Sequence, residues 1–265
     1  MYSLPILAIK YVSYQLSALN SKGHGTHSPF IYKFIQEVLN DNRTFNAYKE
    51  IEALRKDLLL DDRTLTVTDL GAGSYKNNHH KRTIASIAKT ATKPKKYAQL
   101  LFRIVHFYKP SVILELGTSL GITTCYLASA NTNATVITIE GSAQIAEVAQ
   151  ENIKGLQIEN VELLQHNFDA SLPEVLAIVE TIDFAFIDGN HTYLATKKYF
   201  EKILEKSNEN TIIILDDIHW SKEMEQAWNF VKNHSKTMAT IDLFYIGIVF
   251  LNTDFNSKQH FTIRY

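Results

Sequence analysis

The feature that most constrains the fold is a regular alternation of short apolar runs and helical runs that begins near Lys109. Runs such as SVILELG, TVITIEG, IDFAFIDG and TIIILDD are typical of buried strands, and runs such as AQIAEVAQENIKGL between them have helical spacing. Strands that alternate with helices predict right-handed βαβ units and a parallel sheet covered on both faces. We therefore predict an α/β, Rossmann-like doubly wound fold with a mostly parallel, seven-stranded sheet.

The two ends of the chain depart from this alternation. The last apolar runs, DLFYIGIVFLN and QHFTIRY, follow each other with little helix between them, which predicts an antiparallel edge. Apolar residues recur at helical spacing in FIYKFIQEVL and YKEIEALRKDLLL, within the first sixty residues. We expect an N-terminal helical extension or lid over residues 1–94, followed by the main domain over residues 95–265.

The composition of the chain indicates which kinds of molecule it binds. The chain has 27 Lys and Arg against 28 Asp and Glu, so no excess of charge indicates a nucleic acid or an anionic membrane. Cys125 is the sole cysteine, which excludes an internal disulfide and fits a reducing compartment. No apolar run approaches the ~20 residues of a membrane-spanning helix. We expect a cytoplasmic protein that acts on a small molecule.

A glycine turn is the first candidate ligand site. In VILELGTSLG, Gly117 and Gly121 stand between a strand and a helix, where nucleotide-like ligands bind in doubly wound sheets. The spacing lacks the full G-x-G-x-x-G pattern, so a purely structural turn remains an alternative. The next strand ends in Glu140, where a carboxylate can accept hydrogen bonds from both ribose hydroxyls of an adenosine. Because the same acid would serve NAD, the pattern indicates adenosine rather than a particular chemistry.

A similar phrase, TVTDLGAGS, occurs some forty residues earlier. It is followed by a polar stretch rather than by a helix and a strand that ends in an acid. We interpret Asp69, Gly71 and Gly73 as a structural turn rather than a second ligand site.

Acidic residues end two later strands. Asp188 follows IDFAFI, and Asp216 and Asp217 end TIIILDD. Because parallel strands share one carboxyl edge, these carboxylates should converge, and a divalent cation such as Mg²⁺ would offset their repulsion. The alternative divides them among a cofactor hydrogen bond, a helix cap and solvent. His191 could accept a proton from an acceptor group, or it could serve as a buried or orienting residue, and His219 is similarly ambiguous.

These motifs together resemble class I S-adenosylmethionine-dependent methyltransferases, and the chain is similar to their catechol and caffeoyl-CoA O-methyltransferase branch. The resemblance covers about Lys95 to Tyr265 and is carried by YKPSVILELGTSLG, TVITIEGS, FIDGNHTY and LDDIHW. It implies that the glycine turn holds the methionine part of the cofactor, that Glu140 binds the ribose and that HNFDASLP borders the adenine. The implied cofactor-binding residues are Glu115, Gly117, Ser119, Gly121, Glu140, Phe168, Asp169 and Asp188.

The resemblance also implies a metal site and a base, with two departures. Metal-dependent members bind Mg²⁺ or another divalent ion through an Asp and a later Asp-Asn pair, which here read Asp188, Asp216 and Asp217. Asp217 replaces the Asn and makes the site more negative. Those members use a lysine as the base three residues after the first aspartate, where this chain has His191.

The resulting functional expectation is methyl transfer from S-adenosylmethionine to an oxygen of a small-molecule acceptor. The alternatives are a methyltransferase-like binding or scaffold protein without turnover, N-methylation of a macromolecule, and an NAD-linked oxidoreductase that the glycine spacing disfavours. By analogy, His24, His27 and Phe30 of GHGTHSPF belong to a lid, or Ser28 and Pro29 simply start the next helix. Apolar faces on the N-terminal helices could pair two chains as a homodimer.

Overall fold

The computed structural model of the chain describes residues 1–21, 28–68, 79–252, 255 and 257–265. In these ranges, none of the helices combines the length and apolar character that a bilayer crossing requires. The predicted turn at Asp69, Gly71 and Gly73 and the lid residues His24 and His27 lie outside the described residues.

Helices and strands alternate through most of the described chain. The helices are α1 (Leu4–Ser17), α2 (Pro29–Phe34), α3 (Asn46–Leu58), α4 (Ile84–Ala91), α5 (Lys95–Tyr108), α6 (Ile122–Ala130), α7 (Ala143–Gly155), α8 (Phe168–Ile178), α9 (Tyr193–Leu204) and α10 (Lys222–Asn233), and a π-helical turn, Ile35–Leu39, continues α2. The strands are β1 (Thr64–Thr68), β2 (His79–Thr83), β3 (Val112–Leu116), β4 (Thr135–Glu140), β5 (Val161–Gln165), β6 (Ile182–Ile187), β7 (Ser207–Asp216), β8 (Ala239–Asp242), β9 (Ile246–Phe250) and β10 (Gln259–Thr262).

One compact unit comprises residues 42–178. In it, β4 pairs in parallel with β3 on one side and with β5 on the other. Helix α6 is buried on almost every side, which fits a sequence whose polar residues are few and small rather than gathered on one exposed face. Strands β1 and β2 form a separate antiparallel pair, so the TVTDLGAGS region begins with a strand that does not belong to a βαβ unit.

The other compact unit comprises residues 1–41 and 179–265. Its strand order is β10-β8-β9-β7-β6. Pairs β6–β7 and β8–β10 are parallel, whereas β9 is antiparallel to both β7 and β8. The mostly parallel, doubly wound class predicted from the sequence is therefore confirmed.

The antiparallel strand, however, does not form the edge. Only three residues separate β8 from β9, and so short a connection can join antiparallel neighbours only. Strand β9 therefore lies between β7 and β8, and β10 is the edge strand. With three strands in the first unit and five in the second, β10 is one strand more than the seven expected.

Helix α1 is held by residues near the other end of the chain. Lys10 Nζ lies 2.8 Å from Glu225 Oε1, and the Tyr14 hydroxyl donates to the Ile263 carbonyl. The Tyr11 ring meets Phe244 edge-on, with 5.0 Å between ring centroids. One face of α1 is thereby fixed to the unit that contains β8 to β10.

Helix α2 begins as the alternative interpretation of GHGTHSPF predicts. The Ser28 hydroxyl accepts a hydrogen bond from the Ile31 N–H, and Pro29 occupies the first helical position. Phe30, the one described member of the proposed lid, packs edge-on against Phe250 and Phe255.

Candidate functional site

The glycine turn after β3 is built from left-handed backbone. Gly117, Ser119 and Gly121 have φ values of 108°, 49° and 80°, and the Gly121 N–H donates to the Thr118 carbonyl at 2.9 Å. A β-carbon at Gly121 would lie 3.4 Å from the Ala149 Cβ, so α7 passes close to the turn. Glycine is favoured at 117 and 121 because positive φ strains other residues. The turn leads directly into α6.

Glu140 connects this turn to the start of α7. Its Oε2 accepts from the Ser119 N–H and its Oε1 accepts from the Ser142 N–H, both at 2.9 Å. Burial raises the pKa of Glu140, although the hydrogen bonds from the Ser142, Ser119 and Gly141 N–H groups act in the opposite direction. A carboxylate has about four lone-pair sites, so three backbone donors leave it able to accept at least one more hydrogen bond. The carboxylate is therefore oriented by the backbone and still able to bind a ligand hydroxyl.

The glycine turn and Glu140 together form a concave group that we call the cradle. The Ser119 hydroxyl indicates that this cradle fits a ligand. Its Oγ is buried and has no hydrogen-bond partner among the described residues. Leaving a buried hydroxyl unsatisfied costs about 1–3 kcal/mol, a cost that a polar ligand group would remove. The strained backbone of Ser119, the same residue whose N–H orients Glu140, holds this hydroxyl in the turn.

Glu115 is completely buried and stabilises the turn through a chain of hydrogen bonds. Its Oε2 accepts from the Thr138 hydroxyl at 2.7 Å and also from the Thr124 hydroxyl. Thr138 shares a further hydrogen bond with Thr118, with 2.6 Å between the hydroxyl oxygens. Sequence analysis did not single out Thr124 or Thr138, because their partner is identified only once α6 and β4 pack beside β3.

Phe168 and Asp169 begin α8, just after β5. Phe168 is half-buried, whereas Asp169 is exposed in the first turn of the helix. The Asn167 Oδ1 accepts from the Ala170 N–H at 2.8 Å and so fixes the helix start. Since β3, β4 and β5 are adjacent and parallel, their carboxyl ends bring the glycine turn, Glu140 and Phe168 to the same edge.

A second group of functional side chains lies in the unit that contains β6 and β7. Donor atoms of Asp188, His191 and Asp216 all lie within 4.8 Å of one another, and His191 Nε2 is 3.6 Å from Asp188 Oδ1. Asp216 is buried, and the other two residues are half-buried. The parallel pairing of β6 with β7 places the ends of these strands side by side.

This group differs from the predicted metal set of Asp188, Asp216 and Asp217. Asp217 has a left-handed backbone, with φ of 54°, and does not belong to the group, in which His191 is the third member. Successive side chains at a strand end point in different directions, which the acidic pair in the sequence does not reveal. Two carboxylates and an imidazole are donors that divalent metals accept.

His219 contacts a different pair of acidic residues, Asp242 and Glu225. Its Nε2 lies 2.8 Å from Asp242 Oδ2 and its Nδ1 lies 3.1 Å from Glu225 Oε1. Burial opposes protonation of His219, but the hydrogen bonds to Asp242 and Glu225 outweigh it and raise its pKa. Both ring nitrogens are thus occupied by carboxylates. The sequence carried no signal for this pairing, because Asp242 comes from a strand 23 residues further on.

Comparison with known proteins shows what part of this chain is similar to. Residues 114–218 match the model of a family described as a methyltransferase domain. This region, which begins within β3 and ends just after Asp217, is thus similar to methyltransferase domains. The resemblance to methyltransferases predicted from the sequence is confirmed.

One curated relative is an O-methyltransferase. The O-methyltransferase imqG of Aspergillus flavus is 32% identical over 126 residues, which cover 45% of this chain and 50% of that protein. The chain thus spans about half the length of this curated relative.

Solved structures share the fold at low sequence identity. They include SAH-bound PaMTH1 of Podospora anserina, at 12% identity and a TM-score of 0.58, covering 94% of this chain and 97% of that one. The O-methyltransferase of Bacillus cereus in complex with SAH is 18% identical with a TM-score of 0.57, covering 83% and 97%. TomG of Streptomyces achromogenes, an O-methyltransferase of tomaymycin synthesis in complex with SAM, is 18% identical with a TM-score of 0.53, covering 61% and 82%. The chain has the methyltransferase fold.

Proposed function

We propose that this protein transfers a methyl group from S-adenosylmethionine to a hydroxyl oxygen of a small molecule. The observation that carries the proposal is the cradle after β3 and β4, where Ser119 offers an unsatisfied buried hydroxyl and Glu140 offers an oriented carboxylate. The match of residues 114–218 to a methyltransferase-domain family and the similarity to an O-methyltransferase support the same conclusion.

Each part of the cradle has a role in the proposal. Glu140 accepts hydrogen bonds from the ribose hydroxyls, and Phe168 and Asp169 border the adenine. The turn at Gly117, Ser119 and Gly121, braced by Glu115, holds the methionine part. When bound, S-adenosylmethionine supplies a methyl group already activated by its sulfonium. The protein must therefore mainly align the acceptor and remove its proton.

Asp188, His191 and Asp216 are the proposed acceptor-side residues. A neutral His191 imidazole would accept the proton from the acceptor hydroxyl. The group alternatively fits a divalent cation; in that case His191 would be a ligand rather than the base, and the cation would orient the acceptor and lower the pKa of its hydroxyl. Asp217 stays a sequence-based candidate for this metal, and Asp188 a candidate for cofactor contact.

We also propose, from the sequence, that residues 95–265 form the catalytic domain and that residues 1–94 cover it as a lid. A cytoplasmic location is proposed from the single cysteine, Cys125, whose thiol is buried. Burial and the nearby Glu115 carboxylate raise the pKa of the Cys125 thiol, so it stays protonated and is not a nucleophile.

Calorimetric titration tests the proposed cofactor. Protein freed of bound ligand is titrated with S-adenosylmethionine and, separately, with NAD, each with Mg²⁺ and with a chelator. We expect binding of S-adenosylmethionine and none of NAD. Enhancement by Mg²⁺ would support a metal at Asp188, His191 and Asp216, whereas binding of NAD alone would overturn the proposal.

A transfer assay separates catalysis from binding. Labelled S-adenosylmethionine is supplied with a panel of catechols, phenols and other hydroxylated acceptors. We expect label in at least one acceptor, and a slower transfer by the His191→Ala variant with unchanged cofactor affinity. Cofactor binding without transfer to any acceptor would favour a non-catalytic binding protein.

A further inference from the structure

Helix α7 buries one polar side chain, that of Asn152. This residue is 9% exposed, and its Nδ2 donates to the Leu120 carbonyl at 2.9 Å in a hydrogen bond that is itself buried. The other buried side chains of the helix are apolar. Asparagine is less favourable than leucine inside a helix, and a buried amide costs free energy unless it is hydrogen-bonded. The bond to Leu120, rather than the helix, therefore accounts for an asparagine at this position.

The Leu120 carbonyl belongs to the glycine turn. Leu120 is fully buried and stands between Ser119 and Gly121, both of which have a left-handed backbone. Serine adopts this conformation much less readily than glycine does, so contacts from outside the turn must hold it there. Asn152 supplies one of these contacts from α7.

Two different elements hold the two halves of the turn. At its start, the Gly117 N–H donates to the Ile139 carbonyl at 3.0 Å, and the Ser119 N–H donates to Glu140 at 2.9 Å, so the end of β4 fixes this half. Beyond Ser119, the hydrogen bond from Asn152 comes from α7. The position of the second half therefore depends on the helix.

Ala149 brings the helix close to the turn on the same face as Asn152. It precedes Asn152 by three residues, a spacing that places both side chains on one side of a helix. A β-carbon at Gly121 would lie 3.4 Å from the Ala149 Cβ, which is van der Waals contact. Ala149 thus sets the distance between helix and turn, and Asn152 sets the orientation of the peptide that follows Ser119.

The same helix begins beside the carboxylate of the cradle. Ser142 is the residue that precedes α7, and its N–H donates to Glu140 Oε1 at 2.9 Å. Helix α7 therefore contacts Glu140 at its start and the glycine turn through Asn152 further along. A continuous helix that holds both groups keeps the spacing between them constant.

We propose that Asn152 is a positioning residue for the cofactor. By holding the Leu120 carbonyl, it keeps the turn in the conformation in which the Ser119 hydroxyl and the Glu140 carboxylate serve the same ligand. Asn152 acts through Leu120 rather than by contact with the ligand. This inference rests on the proposed binding of S-adenosylmethionine to the cradle.

Asn160 offers a matched control in the same part of the chain. Its Nδ2 also donates to backbone carbonyls, of which the nearest is that of Ala134 at 2.9 Å. It directly precedes β5 and so lies at the amino ends of the parallel strands, whereas the glycine turn follows the carboxyl end of β3. Leucine has a similar shape to asparagine but donates no hydrogen bond, so the same substitution can be made at both positions.

Titration calorimetry with S-adenosylmethionine tests the role of Asn152, and urea denaturation measures the stability of each variant. We expect Asn152→Leu to bind about tenfold more weakly than the wild type, because the turn loses a buried hydrogen bond. Asn160→Leu should bind as the wild type does even where it is less stable. Asn152→Ala, which adds no bulk, should show the same loss of affinity if Asn152→Leu does not fold. Wild-type affinity in a folded Asn152 variant, or an equal loss of affinity in Asn160→Leu, would overturn the proposal.

Amide NMR spectra of the ligand-free protein provide a second measurement. The Ser119 and Gly121 signals should shift in Asn152→Leu and stay in place in Asn160→Leu, and unshifted signals in Asn152→Leu would contradict the proposal. A wild type that does not bind S-adenosylmethionine would refute the proposed function and, with it, the cofactor role of Asn152. A wild type that binds it while Asn152→Leu binds equally well would refute the role of Asn152 alone.

Discussion

At the residue scale, the cofactor proposal depends most on Glu140. Replacing it with Gln keeps the size of the side chain but removes the negative charge that would strengthen its hydrogen bond from the ribose. Hydrogen bonds to charged groups contribute about 1.5–3 kcal/mol, so we expect Glu140→Gln to weaken S-adenosylmethionine binding roughly ten- to hundredfold. Titration calorimetry measures the change. Glu147→Gln, an exposed position on α7, should bind as the wild type does.

The raised pKa of Glu140 gives this prediction a pH dependence. Burial favours the protonated carboxyl, so Glu140 contributes stability below its ordinary pKa of 4.5 and loses it as pH rises through the raised value. Cofactor affinity has the opposite trend because it requires the ionised form. Affinity should fall on acidification at a higher pH than an exposed glutamate would give. Equal affinities for Glu140→Gln and wild type at neutral pH would remove Glu140 from the site.

His219 is the other residue whose ionisation has a measurable effect. Its pKa is raised because hydrogen bonds to Asp242 and Glu225 outweigh the effect of burial, so the imidazolium contributes stability below about pH 6.5. That contribution is lost as pH rises through the raised value. We expect His219→Gln to lower the free energy of unfolding by about 1.5–3 kcal/mol at pH 6 and by less at pH 9.

Urea denaturation at both pH values measures this difference. His80→Gln, at an exposed position of β2, is the matched control and should unfold as the wild type does at each pH. The same loss of stability at pH 6 and pH 9 for His219→Gln would show that the charge of the imidazole does not matter.

At the element scale, the contact of β9 with α10 requires a glycine. A β-carbon at Gly247 would lie 2.6 Å from the Trp228 ring, which is buried and donates through Nε1 to Asp242 Oδ2 at 3.1 Å. The ring cannot move away without loss of that hydrogen bond. We expect Gly247→Ala to lower the free energy of unfolding by about 1–3 kcal/mol or more, as overpacking does.

Gly155 provides the comparison for this substitution. It is the last residue of α7, and a β-carbon there would have no atom within 4 Å. Alanine is favoured over glycine in helices by up to ~1 kcal/mol, so Gly155→Ala should leave stability unchanged or raise it. Thermal or urea denaturation distinguishes the two variants, and equal effects would contradict the packing that we describe for Gly247.

At the scale of the whole molecule, one of the two compact units joins two segments that are distant in sequence. Residues 1–41 belong with residues 179–265, and Lys10 and Glu225 are 215 positions apart. The expected division into an extension over residues 1–94 and a domain over residues 95–265 groups α1 differently and stays a prediction. The near balance of 27 basic and 28 acidic residues fits a partner that is not strongly charged.

The sequence by itself determined the fold class and the position of the glycine turn. Strand and helix periodicity depends on neighbouring residues alone, and so the run from Val112 to Asp217 could be assigned as βαβ units without knowledge of distant contacts. Gly117, Gly121 and Glu140 were found in the same way, because their roles depend on where a strand ends. The roles proposed for cofactor and base stay predictions.

Only the tertiary structure decided which side chains meet. It brought donor atoms of His191, Asp188 and Asp216 within 4.8 Å of one another, since backbone direction at a strand end is not encoded in residue type. It also joined His219 to Asp242 and left apolar side chains of α1 exposed while Lys10 and Tyr14 formed hydrogen bonds. These outcomes depend on packing between elements that are distant in sequence, and local periodicity carries no information about that packing.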